Sequence, residues 1–359
     1  MKILLLFGLG DTSTLLTSAF RDLGQDCDLL LSNRAFATQY PAWTKKYPNL
    51  KEGCYIWDKS DTYDPRTIAE LHKFIRNYDL IFCHPPAGLD AWLFDRPYVI
   101  WDGGSGNFFM STKHESRQLH GRVNRENVRR SYKKAAHIFF NDINVIYTAW
   151  DKVSWSHDRY SYTPLPVDTS VFHPMKKHPF PQFTAYLPTR QELYIKGIED
   201  ILRAWKEFTT HTAPEAQLLI TRYGSDVPIT DYLIEENNLE NNITWIPLIP
   251  KQQFAQLIND VDVVIDQIRL GALGGVSVQS MACKQRVIVN ANEQWYNEQL
   301  GALPPVLNAK NKHQVLQRLI EAYTNDHNEL REQAYTFVHA HFKHTTVAKN
   351  ILSILCSLL

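Results

Sequence analysis

The stretch Val261–Asn290 constrains the fold of this chain more than any other part of the sequence. It begins with a short apolar run, Val261–Ile265, of the kind that forms a strand buried on both faces of a parallel sheet. A turn cleared by glycines follows, then a predicted helix over Val276–Cys283 and a second buried strand over Arg286–Val289. The pattern predicts a strand–helix–strand unit, and therefore an α/β protein with a parallel sheet.

The glycines of this unit precede the predicted helix and leave its first turn open (Gly271, Gly274 and Gly275). A helix N-terminus beyond the carboxyl end of a parallel strand favours an anion, because its N–H groups and its dipole both attract negative charge. The alternative is an ordinary glycine-rich turn, and glycines alone favour that alternative.

Asp260–Val263, Gly274 and Gln279–Cys283 resemble the signature of the family 4 retaining GT-B glycosyltransferases, which reads roughly ADV…EGFG…LEAMACGxPVV. The resemblance implies a GT-B architecture, in which two Rossmann-like, doubly wound domains face a cleft. It also implies transfer of a sugar from a nucleoside-diphosphate sugar with retention of anomeric configuration.

The two glutamates of that signature are missing here, because they fall on Gly271 and Gln279. In the family the first contacts the donor sugar and the second the ribose. One branch of the family instead has DQ…GxxG, as in the stretch from Asp266-Gln267 to Gly274. The donor-binding residues that the resemblance implies in this stretch are Asp266, Gln267, Gly271, Gly274, Gly275, Val276 and Gln279.

Pro164–Pro174 resembles the family's PNGVDTxxFxP connection, which leads from the first domain into the second. The predicted domains are therefore 1–173 for the acceptor and 174–341 for the donor, with a helix over 342–359 that crosses back to the first domain. Beyond the connection, Arg190 and Lys196-Gly197 resemble the family's Arg…Lys-Gly phosphate clamp with one extra residue. Gly224 stands where relatives have a GxG turn, and the resemblance adds it to the donor site.

Length and composition limit the functions open to the chain. Its 359 residues suit two domains, and its 38 Lys and Arg balance its 38 Asp and Glu, which argues against a nucleic-acid partner. The five widely spaced cysteines are typical of reduced thiols in a cytoplasmic protein. No predicted segment is long and apolar enough to be a signal peptide or a membrane span, so any membrane contact would be peripheral.

The first half of the chain alternates predicted strands and helices, beginning with the strand Lys2–Phe7. Gly8 and Gly10 follow it and match a dinucleotide fingerprint only in part, since the third glycine is absent. The resemblance instead places this loop near the donor or the acceptor, and a plain tight turn is an equal alternative. We expect loops over Arg34–Tyr63, where hydrophobic periodicity is weak.

Polar residues follow two further predicted strands, Leu80–Cys83 and Tyr98–Trp101. His84 comes after the first strand, and Asp102 and Gly103 after the second. Ligands of open α/β sheets bind outside the carboxyl ends of strands, so these three residues are the predicted acceptor site. A packing or capping role for His84 is the favoured alternative.

The segment Lys113–Lys134 carries the one local excess of basic residues. In relatives, basic helices in this region dock onto anionic membranes that hold a lipid-linked acceptor. A solvated helix face is the favoured alternative.

The function predicted from these features is hexosyltransferase-type sugar transfer to a glycan, a lipid-linked or another acceptor hydroxyl. Arg190 and Lys196 are the predicted catalytic cations, with Asp102 beside the acceptor, and neither a metal nor a cofactor is expected. Lys196 precedes the helix predicted over Ile198–Phe208, where the helix dipole disfavours a cation unless an anion binds nearby. Two alternatives stay open: a GT-B epimerase or phosphorylase, and a nucleotide-sugar binding protein without transfer activity.

Overall fold

The computed structural model describes residues 1–6, 12–32, 52–57, 65–84, 91–103, 125–141 and 159–358. The chain divides into two compact units, the first formed by 1–166 with 344–359 and the second by 167–343. The second unit thus begins at Val167, earlier than the predicted boundary after residue 173. The reason lies in the connection: the N–H of Val167 donates to the carbonyl of Phe342, and Phe172 packs its ring 5.9 Å from that of Phe254.

The first unit contains a parallel sheet with the strand order β3-β2-β1-β4-β5-β6-β7. Its strands are β1 (Ile3–Leu6), β2 (Cys27–Ser32), β3 (Cys54–Trp57), β4 (Leu80–Cys83), β5 (Tyr98–Asp102), β6 (His137–Phe140) and β7 (Tyr160–Tyr162). Its helices are α1 (Thr12–Asp22), α2 (Pro65–Ile75), α3 (Arg125–Lys134) and the C-terminal helix (His344–Ser357), with a 3-10 turn at Ala91–Leu93.

Side chains that alternate along these strands fill a separate core on each face of the sheet, as the pleat requires. On one face Leu5 and Phe82 pack with α1 and with Ile351 of the C-terminal helix. On the other face Leu4 and Ile81 pack with residues of α2 and α3. The sheet is covered on both faces, which explains why its strands are continuous apolar runs.

Strand β3 corrects one expectation from the sequence. Loops were expected throughout Arg34–Tyr63, but Cys54–Trp57 forms an edge strand that pairs with β2, Leu29 opposite Cys54. Its four apolar residues form a short run inside a polar segment without hydrophobic period, so the run alone did not indicate a strand.

The second unit contains a parallel sheet with the strand order β10-β9-β8-β11-β12-β13. Its strands are β8 (Thr184–Leu187), β9 (Gln217–Thr221), β10 (Ile243–Ile246), β11 (Val263–Ile265), β12 (Val287–Val289) and β13 (Leu307–Asn308). Its helices are α4 (Leu193–Lys196), α5 (Ile198–His211), α6 (Val227–Glu236), α7 (Lys251–Asp260), α8 (Gly275–Ala282), α9 (Glu293–Leu300), α10 (Lys312–Thr324) and α11 (Asn328–His341).

The order of the strands in the second sheet reverses between β8 and β11. Going from β8 the chain adds β9 and β10 on one side, whereas β11, β12 and β13 lie on the other, with Val263 paired to Ala185. The loops after β8 and β11 therefore diverge from neighbouring strands. Such a switch point is where open α/β sheets hold their ligands.

Candidate functional site

The loops that follow β8 and β9 are joined by backbone hydrogen bonds. The N–H of Gln191 donates to Tyr223 O at 2.7 Å, and the N–H of Asp226 donates to Gln191 O at 2.9 Å. Gly224 lies between these bonds with φ +130°, and a Cβ there would come within 2.5 Å of the Gln191 nitrogen. Gly224 thus allows the two loops to approach closely, and its predicted contact with the donor stays a prediction.

Arg190 lies on the loop after β8, and its side chain is half exposed. Its Nη1 lies 3.2 Å from Oε1 of Glu192, while Oε2 of Glu192 is buried and has no hydrogen-bond partner in the described parts of the chain. Arg190 is therefore already paired with a carboxylate of its own loop.

Lys196 is the last residue of the short helix α4, and Gly197 after it has φ +74°. The left-handed glycine ends α4 and starts α5, so Lys196 lies at a helix C-terminus, which favours a cation, as well as just before a helix N-terminus. Lys196 thus keeps the position before the N-terminus of α5 that the sequence predicted, and the single turn of α4 adds a second, favourable helix end. No carboxylate of the described residues forms an ion pair with its ammonium group.

The loop after β11 is shaped by Gln267, whose side chain is fully buried. Its Oε1 accepts hydrogen bonds from the N–H groups of Arg269 and Leu270, and its Nε2 donates to the carbonyls of Ala272 and Asn290. In this arrangement all the hydrogen-bonding capacity of the amide is used within the chain, and none is left for a bound nucleotide sugar. Gln267 thus acts on the loop itself, which differs from the predicted direct contact.

Gly271 and Gly274, in the same loop, are required by the local backbone. Gly271 has φ +72°, where a residue with a side chain would be strained, and its carbonyl accepts a hydrogen bond from Asn292 N. A Cβ on Gly274 would lie 3.0 Å from Oδ2 of Asp266.

The N-terminus of α8 is occupied in part by Asp266. This carboxylate is buried and accepts hydrogen bonds from Ser277 N at 3.2 Å and Ser277 Oγ at 2.6 Å. It replaces the capping side chain that the N-cap residue, Gly274, does not have. The predicted anion site at Gly274 and Gly275 therefore shares its helix terminus with an internal negative charge, and Asp266 acts as a cap.

One face of α8 remains open. Gly275 is exposed, Val276 and Gln279 are half-buried, and the remaining residues of the helix are buried. The first N–H groups of a helix have no acceptor within the helix itself. Residues three and four apart lie on one side of a helix, so Gln279 lies one turn below Gly275 on this open face. The structure thus brings Gln279 and the helix N-terminus together, as the predicted donor site requires.

In the first unit, His84 follows β4, and Asp102 is the last residue of the neighbouring strand β5. His84 is buried and stacks on Trp101 with ring centroids 5.6 Å apart, and burial lowers the pKa of its imidazole to about 3. Its Nε2 has no hydrogen-bond partner within the described ranges. The imidazole is therefore neutral at pH 7.

Asp102 is fully buried and accepts a hydrogen bond at 2.9 Å from the hydroxyl of Tyr132 on α3. Burial, with the Asp102 carboxylate as a second cause, raises the pKa of Tyr132 well above its usual value, so the phenol stays protonated. Gly103 next to Asp102 is exposed. The predicted acceptor residues thus share one edge of the first sheet, with Asp102 held by Tyr132.

Other predicted features lie outside the described residues: Gly8, Gly10 and the part 113–124 of the basic segment. The rest of that segment includes α3, on which Arg130, Lys133 and Lys134 are exposed. Within the described residues no group of three or more His, Cys, Asp or Glu could hold a metal ion. Their helices also include none that is long and apolar enough to cross a membrane.

Sequence reasoning missed Glu192 and Ser277, although both stand within predicted motifs. Glu192 is an acidic residue inside the proposed cationic clamp, and this position was the available signal. Ser277 is at the third position of a helix that begins with glycines, where a backbone N–H needs an acceptor. The acceptor, Asp266, follows the preceding strand, so its pairing with Ser277 depends on the path of the loop between them.

The second unit matches a known sequence family. Residues 177–337 match the family described as glycosyl transferases group 1. No curated protein matches the chain.

Solved structures of similar fold cover the whole chain. Sucrose-phosphate synthase from Thermosynechococcus elongatus has a TM-score of 0.74 at 16% identity, with 100% of this chain and 99% of that chain covered. HepE from Anabaena in complex with UDP and glucose has a TM-score of 0.72 at 13% identity, with 99% and 100% covered. A glycosyltransferase from Rickettsia africae has a TM-score of 0.69 at 14% identity, with 99% and 98% covered. The predicted fold, two Rossmann-like domains of the GT-B type, is confirmed.

Proposed function

We propose, on the premise that residues 177–337 belong to the group 1 glycosyl transferases, that this chain transfers a sugar from a nucleoside-diphosphate sugar to an acceptor hydroxyl with retention of configuration. One observation carries the proposal. Arg190 lies on the loop after β8 and Lys196 at the end of α4, near the switch point of the second sheet and beside the loop that leads to the partly capped N-terminus of α8. Two cations and a helix N-terminus suit a diphosphate.

The proposed chemistry breaks the bond between the anomeric carbon and the β-phosphate oxygen. Negative charge then develops on that oxygen, and Arg190, Lys196 and the N–H groups of Gly275 and Val276 stabilise it. The acceptor hydroxyl forms the new bond to the anomeric carbon from the same face, and its proton passes to the departing phosphate. Fixed positive charges do this work, so the proposed reaction needs no metal.

Residues of the first unit would hold the acceptor. His84, neutral because of its burial, can exchange a hydrogen bond with a hydroxyl through Nε2, and Asp102 and Gly103 lie at the end of the next strand of the sheet. A sugar hydroxyl, on a glycan or a lipid-linked acceptor, fits such neutral and acidic groups. The exposed basic residues of α3 are the proposed peripheral contact with an anionic membrane surface in the cytoplasm.

A second candidate function is nucleotide-sugar binding without transfer. Gln279 in place of a glutamate and Asp102 tied to Tyr132 favour it, because neither group is then a free carboxylate beside a substrate. The two functions differ in turnover alone.

The test is a screen of UDP-, GDP- and ADP-sugars for thermal stabilisation, followed by assays of nucleotide release with glycan and lipid-linked acceptors. UDP-glucose is the first donor to try, because the similar HepE structure contains UDP and glucose. Transfer that persists in excess chelator, with a retained anomer in the product, is the expected result. Stabilisation by a donor without turnover on any acceptor would favour the binding protein, and the absence of any stabilisation would refute both.

A further inference from the structure

The side chain of Gln267 joins residues on both sides of Gly271 in the loop after β11. Its Oε1 accepts from Arg269 N at 3.0 Å and from Leu270 N at 2.6 Å, on one side of the glycine. Its Nε2 donates to the Ala272 carbonyl on the other side, and to Asn290 O beyond the next strand. One buried amide thus satisfies four backbone groups, three of the loop and one of Asn290.

The same loop connects to Lys196. Ile268, directly after Gln267, donates its N–H to the carbonyl of Lys196 at 3.1 Å. A Cβ on Gly197 would lie 2.5 Å from the Ile268 side chain, so the absence of a side chain at Gly197 leaves room for Ile268. The position of Lys196 is therefore coupled to the position of the loop that Gln267 holds.

At its other end the loop leads into α8. The N–H of Leu273 donates to the hydroxyl of Tyr296 at 2.7 Å, directly before Gly274 and the first turn of the helix. The loop therefore runs from the Lys196 contact to the helix N-terminus, and Gln267 fixes its middle.

We infer that Gln267 is a positioning residue, which sets the distance between the Lys196 ammonium group and the N–H groups of α8 so that both reach one diphosphate. This inference rests on the proposed function. It requires an amide at position 267, because the side chain must accept from two N–H groups and donate to two carbonyls at once. A glutamate can accept in the same way, but its second oxygen would face the carbonyls of Ala272 and Asn290 without a proton to donate.

Gln285 provides a matched control in the same unit. It is also buried, its Nε2 donates to the carbonyls of Ile258 and Val261 at 2.7 and 2.8 Å, and its Oε1 accepts from Arg286 N at 2.9 Å. It lies before β12, at the opposite end of the sheet from the loop after β11. Substitution of either glutamine by glutamate therefore disturbs a comparable set of bonds, in one case beside the proposed site and in the other away from it.

The experiment compares wild type, Gln267→Glu, Gln285→Glu and the milder Tyr296→Phe by calorimetry with UDP, GDP and ADP and with the matching nucleosides. Hydrogen exchange over residues 268–274 is measured in the same four proteins without ligand. For Gln267→Glu we expect faster exchange in this loop and about tenfold weaker binding of the diphosphate, as when one charge-assisted contact is misplaced. Binding of the nucleoside should change little. Tyr296→Phe should give a smaller effect of the same kind, and keeps the test open if Gln267→Glu does not fold.

Equal diphosphate affinities in Gln267→Glu and Gln285→Glu, at equal stability, would overturn the positioning role while leaving the proposed function intact. Parallel losses of nucleoside and diphosphate affinity would also overturn it, because they indicate general unfolding. If wild type binds none of the three diphosphates, the proposed function fails, and the positioning role fails with it.

Discussion

The guanidinium group of Arg190 lies 3.2 Å from Oε1 of Glu192, and the other oxygen of Glu192 is buried without a hydrogen-bond partner in the described parts of the chain. The loop after β8 therefore supplies its own counter-ion to the cation that the proposed diphosphate would need. An incoming phosphate has to compete with Glu192 for Arg190.

Glu192→Gln is expected to strengthen nucleoside diphosphate binding, because the competing charge is removed. Ion pairs of partly exposed groups contribute at most about 1 kcal/mol, so we expect about two- to fivefold tighter binding by calorimetry. Glu199→Gln is the control, since Glu199 pairs with Arg203 on the outer side of α5. Weaker binding in Glu192→Gln would show that Glu192 orients Arg190 for the ligand.

Arg190→Ala and Lys196→Ala are expected to weaken nucleoside diphosphate binding. Loss of one charge-assisted hydrogen bond costs about 1.5–3 kcal/mol, or roughly 10- to 150-fold in affinity. Lys206→Ala, in the middle of α5 and away from the loop after β8, is the control for a lost positive charge. If all three variants bind the nucleotide equally well, the proposed clamp is wrong.

Asp266→Ala is expected to destabilise the second unit, because the first turn of α8 loses its cap and Ser277 loses its acceptor. The loss should be about 1–2 kcal/mol, or a few degrees in melting temperature. Ser277→Ala should give a smaller loss, since Ser277 N keeps its bond to the carboxylate. Asp231→Ala, which removes a carboxylate paired with Arg222 at the surface, is the control and should change the stability little. An unchanged melting temperature in Asp266→Ala would argue against the capping role.

Gln279→Leu is expected to weaken nucleotide binding by about 1–3 kcal/mol, because buried ribose hydroxyls would lose their partner. Gln279→Glu should keep or strengthen binding, since a carboxylate accepts hydroxyl hydrogen bonds more strongly than an amide. Gln294→Leu on the exposed side of α9 serves as the control in the same calorimetric titrations. Identical affinities in all the variants would show that Gln279 points away from the ligand.

His84 is expected to make the first unit sensitive to acid. Burial lowers its pKa from the usual 6.5 to about 3, so the folded unit holds the neutral ring while the unfolded chain takes up a proton below pH 6.5. The free energy of unfolding therefore has its full value above pH 6.5 and falls as the pH is lowered toward 3, by up to about 1.4 kcal/mol per pH unit.

His84→Phe should reduce this decrease in the free energy of unfolding, measured by denaturant unfolding from pH 6.5 downward. His137, whose pKa burial lowers to about 4, acts in the same direction and leaves a residual slope. The exposed His313, changed to Gln, is the control. An unchanged slope in His84→Phe would mean that the ring becomes charged without unfolding.

The positions of the strands and helices could be predicted largely from the sequence. The strand Leu80–Cys83 was predicted with the bounds that it has, and α8 was predicted one residue later than it occurs. Parallel strands buried on both faces give continuous apolar runs, and glycines mark the turns between elements. Strand β3 was missed because its run of four apolar residues lies in a polar segment without hydrophobic period, and because it pairs with β2, which is distant from it in the sequence.

The donor site in the loops after β8 and β11 stays a prediction from the sequence, and the structure gives two of its side chains roles that the sequence did not predict. Asp266 and Gln267 were predicted as donor contacts, whereas the first caps α8 and the second holds the loop. Both roles depend on the path of the loop after β11, which turns at the left-handed Gly271 before it enters α8. Hydrophobic periodicity and motif spacing contain neither kind of information.

The bridge between Val167 and Lys343 has a consequence for the engineering of this protein. The two residues are the first and last of the second unit, and they lie side by side as neighbouring strands do, roughly 5 Å apart. The second unit is thus a continuous cassette with adjacent ends. A few residues could join those ends in a circular permutant, and residues 167–343 can be exchanged as one block without cutting either sheet.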